Sequence, residues 1–442
     1  MEQATKERYR EQVRQVFNRI SLTGLPERDP GLSELPLDRV FISLSVEVRP
    51  AVASLRYDLA DGDRQDGLPA LAVGQPKGST RGDRPSLRPP PAPEPVKLSV
   101  GQALNQYRRL IIVGDPGSGK TTLLRWLAVT FAADRQADPD RLGPAFSEPC
   151  LPVILELRRF AERLRNLAEQ PSAFDLADEI SSYVAHDARF AGMPQEAMRA
   201  AIAAGGCFIL LDGLDEIEDR QARTRLVEAI EALYLNPRSK LANNLCLLTT
   251  RPHGFANLSI GTGFQTATVR PFGRDNVAAF IRNWYRVAYG EHGLSGEADQ
   301  LVEAIGANER VEALATNPLL CTIIAVVFRN NRVLPDRRVE LYFKCCEALL
   351  DTWERNKDIK NSGLIGGFGL QQKLELLATL AYWLHGENER LSAPEEAIVQ
   401  SIAVALTTDH HSDPGSAEAR PADSSRRSAT VPGCCEGEAM AR

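Results

Sequence analysis

Residues 110–122 read Leu-Ile-Ile-Val-Gly-Asp-Pro-Gly-Ser-Gly-Lys-Thr-Thr, and this short run restricts the fold more tightly than any other part of the 442-residue chain. Leu110 to Val113 is unbroken apolar sequence, the mark of a strand buried on both faces. The turn after it spaces Gly114, Asp115, Pro116, Gly117, Ser118, Gly119, Lys120 and Thr121 as G-x-x-x-x-G-K-[ST], and a helix is predicted from about Lys120 to Ala132. The glycines let the backbone curl so that its N–H groups point inward, and the helix adds its positive end, which together make a cradle for phosphate. Lys120 is then placed to reach the β- and γ-phosphates of a nucleotide, with Thr122 beside it, and the Thr121 hydroxyl to ligate Mg²⁺.

A second apolar run, Cys207 to Leu211, ends in Asp212-Gly213-Leu214-Asp215-Glu216. A strand ending in an aspartate at the same sheet edge delivers Asp212 beside the phosphate loop to hold Mg²⁺, directly or through water. Gly213 leaves space, and Asp215 and Glu216 bring two more carboxylates, either of which is suited to orient or deprotonate an attacking water. Leu247-Leu248-Thr249-Thr250-Arg251-Pro252 is a further strand with a polar end, at the edge where open α/β sheets bind ligands. Arg251 is expected there as a γ-phosphate sensor, a surface arginine being the alternative. Asn317-Pro318-Leu319-Leu320, from its residues alone, reads as a proline-started helix with apolar side chains packing inward.

Four apolar strands (Leu110–Val113, Val153–Leu157, Cys207–Leu211 and Leu245–Thr250) alternate with helical stretches, which predicts an α/β fold with a central parallel sheet covered on both faces. Residues 1–57 are read as an N-terminal helix (2–20) and a strand that alternates over Arg39–Val46. Residues 58–97 form a Pro/Gly/Arg-rich linker, 98–270 the nucleotide-binding core, 271–332 a small helical domain, 333–407 a further helical region, and 408–442 a tail without periodicity.

The net charge of −6 argues against a chain that wraps nucleic acid or coats an anionic membrane by electrostatics alone, so neither partner is expected. The eight cysteines and six histidines show no zinc spacing, and Cys207 and Cys246 sit in apolar runs where a thiol packs as a small hydrophobe. The polar start, MEQATKERYREQ, lacks the apolar region of a secretory signal, so a reducing, cytoplasmic compartment is expected. Trp126, Trp284, Trp353 and Trp383 are read as core. Lacking an Asn/Thr-Lys-x-Asp guanine-reading motif, the sequence favours ATP, with GTP left open.

Taken in order, Gly-Asp-Pro-Gly-Ser-Gly-Lys-Thr-Thr at 114–122, Leu-Asp-Gly-Leu-Asp-Glu at 211–216, Thr-Thr-Arg-Pro at 249–252 and Asn-Pro-Leu-Leu at 317–320 resemble the NACHT domains of the STAND class of P-loop NTPases. The glycine between the metal aspartate and the Asp-Glu pair is the more diagnostic feature. It also sets the chain apart from mechanical ATPases of the AAA type, which put glutamate directly after that aspartate. Leu334 to Tyr342 resembles the family's entry to a winged-helix domain, and Val40 to Leu44 the short strand before the domain in bacterial members. The resemblance implies a nucleotide held between the α/β core and the helical domain, with Pro318 against the base. It implies an ADP-bound resting state, and a stimulus after which ATP binds and the protein forms a homo-oligomer to engage an effector in defence or signal transduction. A non-hydrolysing nucleotide-binding scaffold is the competing reading. The family's His-x-x-Phe-Gln-Glu-Phe-like motif does not follow residue 407, so a truncated or frame-shifted product is expected.

Overall fold

The computed structural model describes residues 3–21, 34–48, 94–161, 176–217, 219–234, 240–252, 263–290, 295–331, 369–386 and 395–409, with isolated positions between 333 and 350 and at 393. In chain order, the N-terminal part gives α1 (Gln3–Phe17), β1 (Ile20–Ser21), β2 (Glu34–Leu35), α2 (Leu37–Val40) and β3 (Ser45–Val48). The core adds β4 (Val96–Ser99), α3 (Val100–Tyr107), β5 (Arg109–Val113), α4 (Lys120–Ala132), β6 (Leu151–Glu156), α5 (Leu176–His186), α6 (Gln195–Ala203), β7 (Cys207–Asp212), α7 (Arg220–Tyr234), β8 (Leu245–Thr250) and β9 (Gln265–Val269). Helices α8 (Arg274–Tyr289), α9 (Ser295–Gly306), α10 (Glu309–Ala315) and α11 (Pro318–Asn331) follow. A separate unit, from Lys360 onward, holds α12 (Leu370–Gly386) and α13 (Glu395–Asp409).

Seven strands form one sheet in the order β4-β3-β9-β5-β8-β7-β6. From β9 to β6 every pairing is parallel, whereas β3 runs antiparallel to both β9 and β4. The fold is therefore α/β, with a parallel centre and a two-stranded antiparallel edge. All six residues of β8 and the first five of β7 are buried, as strands covered on both faces must be, while β3 alternates half-buried and buried. Ser99 starts α3 with a capping box: its hydroxyl accepts from Gln102 N–H, and the Gln102 side chain accepts from Ser99 N–H.

Three differences from the sequence reading concern residues before 98. The strand expected over Arg39–Val46 begins only at Ser45; Leu37–Val40 is one helical turn that starts after Pro36, and 41–44 is irregular. Alternation therefore identified a buried face but not the backbone. The Val40–Leu44 segment likened to a short strand is that same turn and loop. Val96 and Lys97, placed in the linker, open β4. Residues 58–93 of the linker, residues 336–338 of the winged-helix entry, Trp353 and the tail beyond Asp409 lie outside the described residues. Trp126 and Trp284 are core, and Trp383 is half-buried. Among the described residues no helix is long and apolar enough to cross a membrane.

Helix α1 lies over the end of α4 and the edge strand β6. Tyr9, Arg10, Val13 and Phe17 recur at helical spacing and are its buried face. The Tyr9 hydroxyl donates to the Pro152 carbonyl of β6 at 3.0 Å, and the rings of Tyr9 and Phe17 pack on Phe190. Arg14 Nη1 donates to the Ala132 carbonyl at 2.9 Å and Arg10 pairs with Asp134, so two cations sit at the negative end of α4. The far end of the helix that begins at the phosphate loop is thereby held by the N-terminus of the chain. Tyr9→Phe keeps the ring and removes one buried hydrogen bond. A loss of about 1 kcal/mol is expected, read as a lower urea midpoint at unchanged m-value.

Candidate functional site

The loop between β5 and α4 takes the shape its glycines permit. Gly117 and Gly119 have φ of 75° and 89°, left-handed values that a β-carbon disfavours. At Gly117 space is short as well: an added Cβ would lie 2.8 Å from Asn317 Oδ1. Lys120 Nζ donates to the carbonyls of Gly114 at 2.6 Å and Asp115 at 3.0 Å, so the cation is folded onto its own loop. Burial lowers its pKa, against the pull of Asp215.

Two neighbours fix this loop. Gly114 N–H donates to the Thr250 carbonyl of β8 at 3.2 Å. On the other side Asn317 Nδ2 donates to the Pro116 carbonyl at 3.0 Å, and Leu319 N–H donates to the Gly117 carbonyl at 3.2 Å. Asn317 Oδ1 accepts from the N–H groups of Leu319 (3.0 Å) and Leu320 (3.3 Å), so one side chain both caps α11 and ties it to the loop. The Asn-Pro-Leu-Leu run is thus a proline-started helix and also part of the site.

The carboxylates arrive from β7, which is not the neighbour of β5; β8 lies between them. Asp212 still reaches the loop, through a hydrogen bond with the Thr121 hydroxyl. It also accepts from Thr249 Oγ1 at 2.7 Å. Burial raises its pKa and these two hydrogen bonds oppose the rise. Asp215 accepts from the Arg251 backbone N–H at 2.9 Å and forms an ion pair with its Nε at 3.0 Å. Two of the three expected catalytic residues therefore hold each other. Glu216 stands at the lip of the site, its pKa raised by partial withdrawal from water and then by the charges of Asp212 and Asp215.

All of this opens on one cavity of about 360 Å³. At one end are Pro116 to Thr122, Asp212, Gly213, Asp215, Glu216, Thr249 and Arg251. At the other are Ile20, Leu35, Val40, Phe41, Ile42, Leu44, Phe272, Phe280, Trp284, Pro318, Leu319, Thr322, Ile323 and Val326. Gly114 and Asp115 belong to the loop without lining the cavity. A pocket charged at one end and apolar at the other has the chemistry of a nucleotide, whose phosphates are polyanionic and whose base is flat and largely apolar-faced. Among the described residues no group of three or more His, Cys, Asp or Glu side chains is arranged to hold a metal ion. The oxygens of Thr121 and Asp212 fit Mg²⁺ that arrives with phosphate and water as its remaining ligands.

Sequence reasoning assigned no role to Asn317 or Thr249, although both stood inside quoted motifs. It also missed the apolar lining before residue 45, because an irregular segment carries no periodicity that announces a pocket. The family comparison agrees with the geometry. Residues 108–288 match the family model described as NACHT domain. Among solved structures, the chain is similar to domain III of the Thermotoga maritima replication initiation protein DnaA at 12% identity and a TM-score of 0.30, over 57% of this chain and 88% of that one. No curated protein matches.

Gly117→Ala is expected to weaken binding of a fluorescent ADP roughly tenfold or more, since left-handed backbone with a β-carbon costs ~1–2 kcal/mol before the collision with Asn317. Gly290→Ala, at φ 79° with nothing within 4 Å of the added carbon, should cost stability and leave affinity unchanged.

Proposed function

We propose that the chain, whose residues 108–288 match the NACHT domain family model, is a slow nucleotide-dependent switch in a defence or signal-transduction pathway. It binds ATP or GTP with Mg²⁺ and hydrolyses it. The observation that carries this reading is the cavity itself, which joins Lys120, Thr121, Asp212 and Glu216 to an apolar compartment with Pro318 in its wall.

The backbone N–H groups of the loop and Lys120 hold the phosphates, with the loop residues Gly114 to Thr122 as the binding set. Thr121 and Asp212 hold Mg²⁺, which when bound neutralises charge on the β- and γ-phosphates. Glu216 is the general base for the attacking water, favoured over Asp215 because Asp215 is engaged by Arg251. Arg251 senses the γ-phosphate by leaving Asp215 for it, an exchange of one anion for another. Pro318 packs against the base. The apolar end supports ATP over GTP: among the described residues its lining includes no carboxylate or amide side chain to pair with the N1–H and amino groups of guanine, and each donor left unpaired costs about 1–3 kcal/mol.

The wider roles in the proposal rest on the family resemblance: an ADP-bound resting state, a homo-oligomer after a stimulus, and a protein effector. A cytoplasmic location is supported by Cys207, Cys246 and Cys321, which are free and buried.

The test is to purify the chain natively, denature it and identify the released nucleotide, with Lys120→Ala alongside. ADP released from the wild type and absent from the variant is expected. No nucleotide from either, with no affinity for Mg-ATP or Mg-GTP, would remove the proposal. Glu216→Gln is expected to retain nucleotide while hydrolysis falls ~10²–10⁴-fold; wild-type hydrolysis in that variant would exclude Glu216 as the base.

A further inference from the structure

We propose that Thr249 is a positioning residue for the hydrolytic site: its hydroxyl fixes the Asp212 carboxylate in one orientation, leaving a defined oxygen for the metal. The inference rests on the NTPase reading above.

The β7–β8 ladder runs from Phe208↔Leu245 to Leu211↔Leu248 and stops. The next residues, Asp212 and Thr249, are joined instead through side chains. On its other side β8 stays paired with the strand that leads into the phosphate loop, Ile112 opposite Thr249 and Val113 opposite Thr250. Thr249 therefore sits where the strand of the phosphate loop and the strand of the acidic cluster are both in reach.

Its hydrogen bonds have a fixed direction. A hydroxyl has one proton to give and lone pairs to receive with. Gly213 N–H donates to Thr249 Oγ1 at 2.9 Å, so that donor takes a lone pair. The carboxylate of Asp212, an acceptor when ionised, takes the proton at 2.7 Å on Oδ1. Gly213 has φ of 79°, which turns the chain out of the sheet immediately after Asp212 and aims its N–H at Thr249. Thr249 is fully buried and β-branched, so its χ1 is stiff. With Oδ1 accepting from Thr249, Oδ2 is the oxygen assigned to a cation, beside the Thr121 hydroxyl. Two residues on, Arg251 holds Asp215 through its N–H and Nε, so the end of β8 sets both aspartates.

Thr249→Val keeps the shape and removes the hydroxyl; Thr249→Ser keeps the hydroxyl. Three quantities are measured for each beside the wild type: affinity for fluorescent ADP in EDTA, Mn²⁺ bound in the presence of ADP by electron paramagnetic resonance, and ATP hydrolysis against Mg²⁺ concentration. Removing a group that orients a metal ligand costs roughly 10–100-fold in metal affinity. Thr249→Val is therefore expected to keep its ADP affinity in EDTA within about twofold, to bind Mn²⁺ ~10–100-fold more weakly, and to need correspondingly more Mg²⁺. Thr249→Ser should behave as wild type in all three. Thr249→Ala replaces the valine variant if thermal unfolding shows that valine prevents folding. Wild-type Mn²⁺ binding in the variant lacking the hydroxyl would overturn the proposal, and so would equal losses in the serine and valine variants, which would assign the effect to packing. A wild type that binds no nucleotide removes the NTPase reading and this inference with it, whereas an active wild type matched by Thr249→Val removes only the inference.

Discussion

The glycine loop at residues 114–119 has the freedom to form a phosphate cradle, but that same freedom gives it no reason to stay in one. Gly117 and Gly119 adopt left-handed conformations at little steric cost and give up more chain entropy on ordering than other residues do. What holds the loop is contact from two sides: the Thr250 carbonyl on β8 receives Gly114 N–H, and Asn317 and Leu319 at the start of α11 bond the carbonyls of Pro116 and Gly117. The rest of the site is arranged around that clamp. The same end of β8 that braces the loop receives Gly213 and directs Asp212 and Asp215. The same turn of α11 that caps itself on Asn317 places Pro318 in the cavity wall.

This arrangement makes the site responsive to anions. Lys120 is bonded to carbonyl oxygens of its own loop and Arg251 to Asp215, so both cations are satisfied by the protein itself. A polyphosphate offers Lys120 a full counter-charge where its present partners are neutral carbonyl oxygens. Lys120 exchanges neutral carbonyls for charge, a clear gain. In the proposed sensor role Arg251 would exchange one anion for another, so its balance is finer than that of Lys120.

How much could be read in advance follows from where each signal lies. Strands β5, β7 and β8 were legible because burial on both faces writes them as continuous apolar runs, and the phosphate loop because its spacing is fixed by geometry. Lys120, Thr121, Asp212 and Glu216 follow from those strands, since the fold brings the ends of parallel strands to one edge. β9 was not legible: Gln265-Thr266-Ala267-Thr268-Val269 is polar at alternate positions and only its pairing with β3 and β5 makes it a strand. The Val40–Leu44 segment showed a buried face whose backbone is a helical turn and a loop. Thr249 and Asn317 were visible as letters in motifs. Their roles depend on which strand lies between β5 and β7, and on which loop α11 meets, and neither is a local property of sequence.

The central claim is that one cavity takes the phosphates at the glycine loop and the base among apolar side chains from the N-terminal segment, α8 and α11. Photolabelling with 8-azido-ATP, followed by digestion and mass spectrometry, tests it most directly because the reactive group is on the base. The account predicts label on peptides spanning 34–48, 272–284 or 318–326, suppressed by excess ATP. Label that ATP does not suppress, or suppressible label confined to peptides away from this lining, would contradict it.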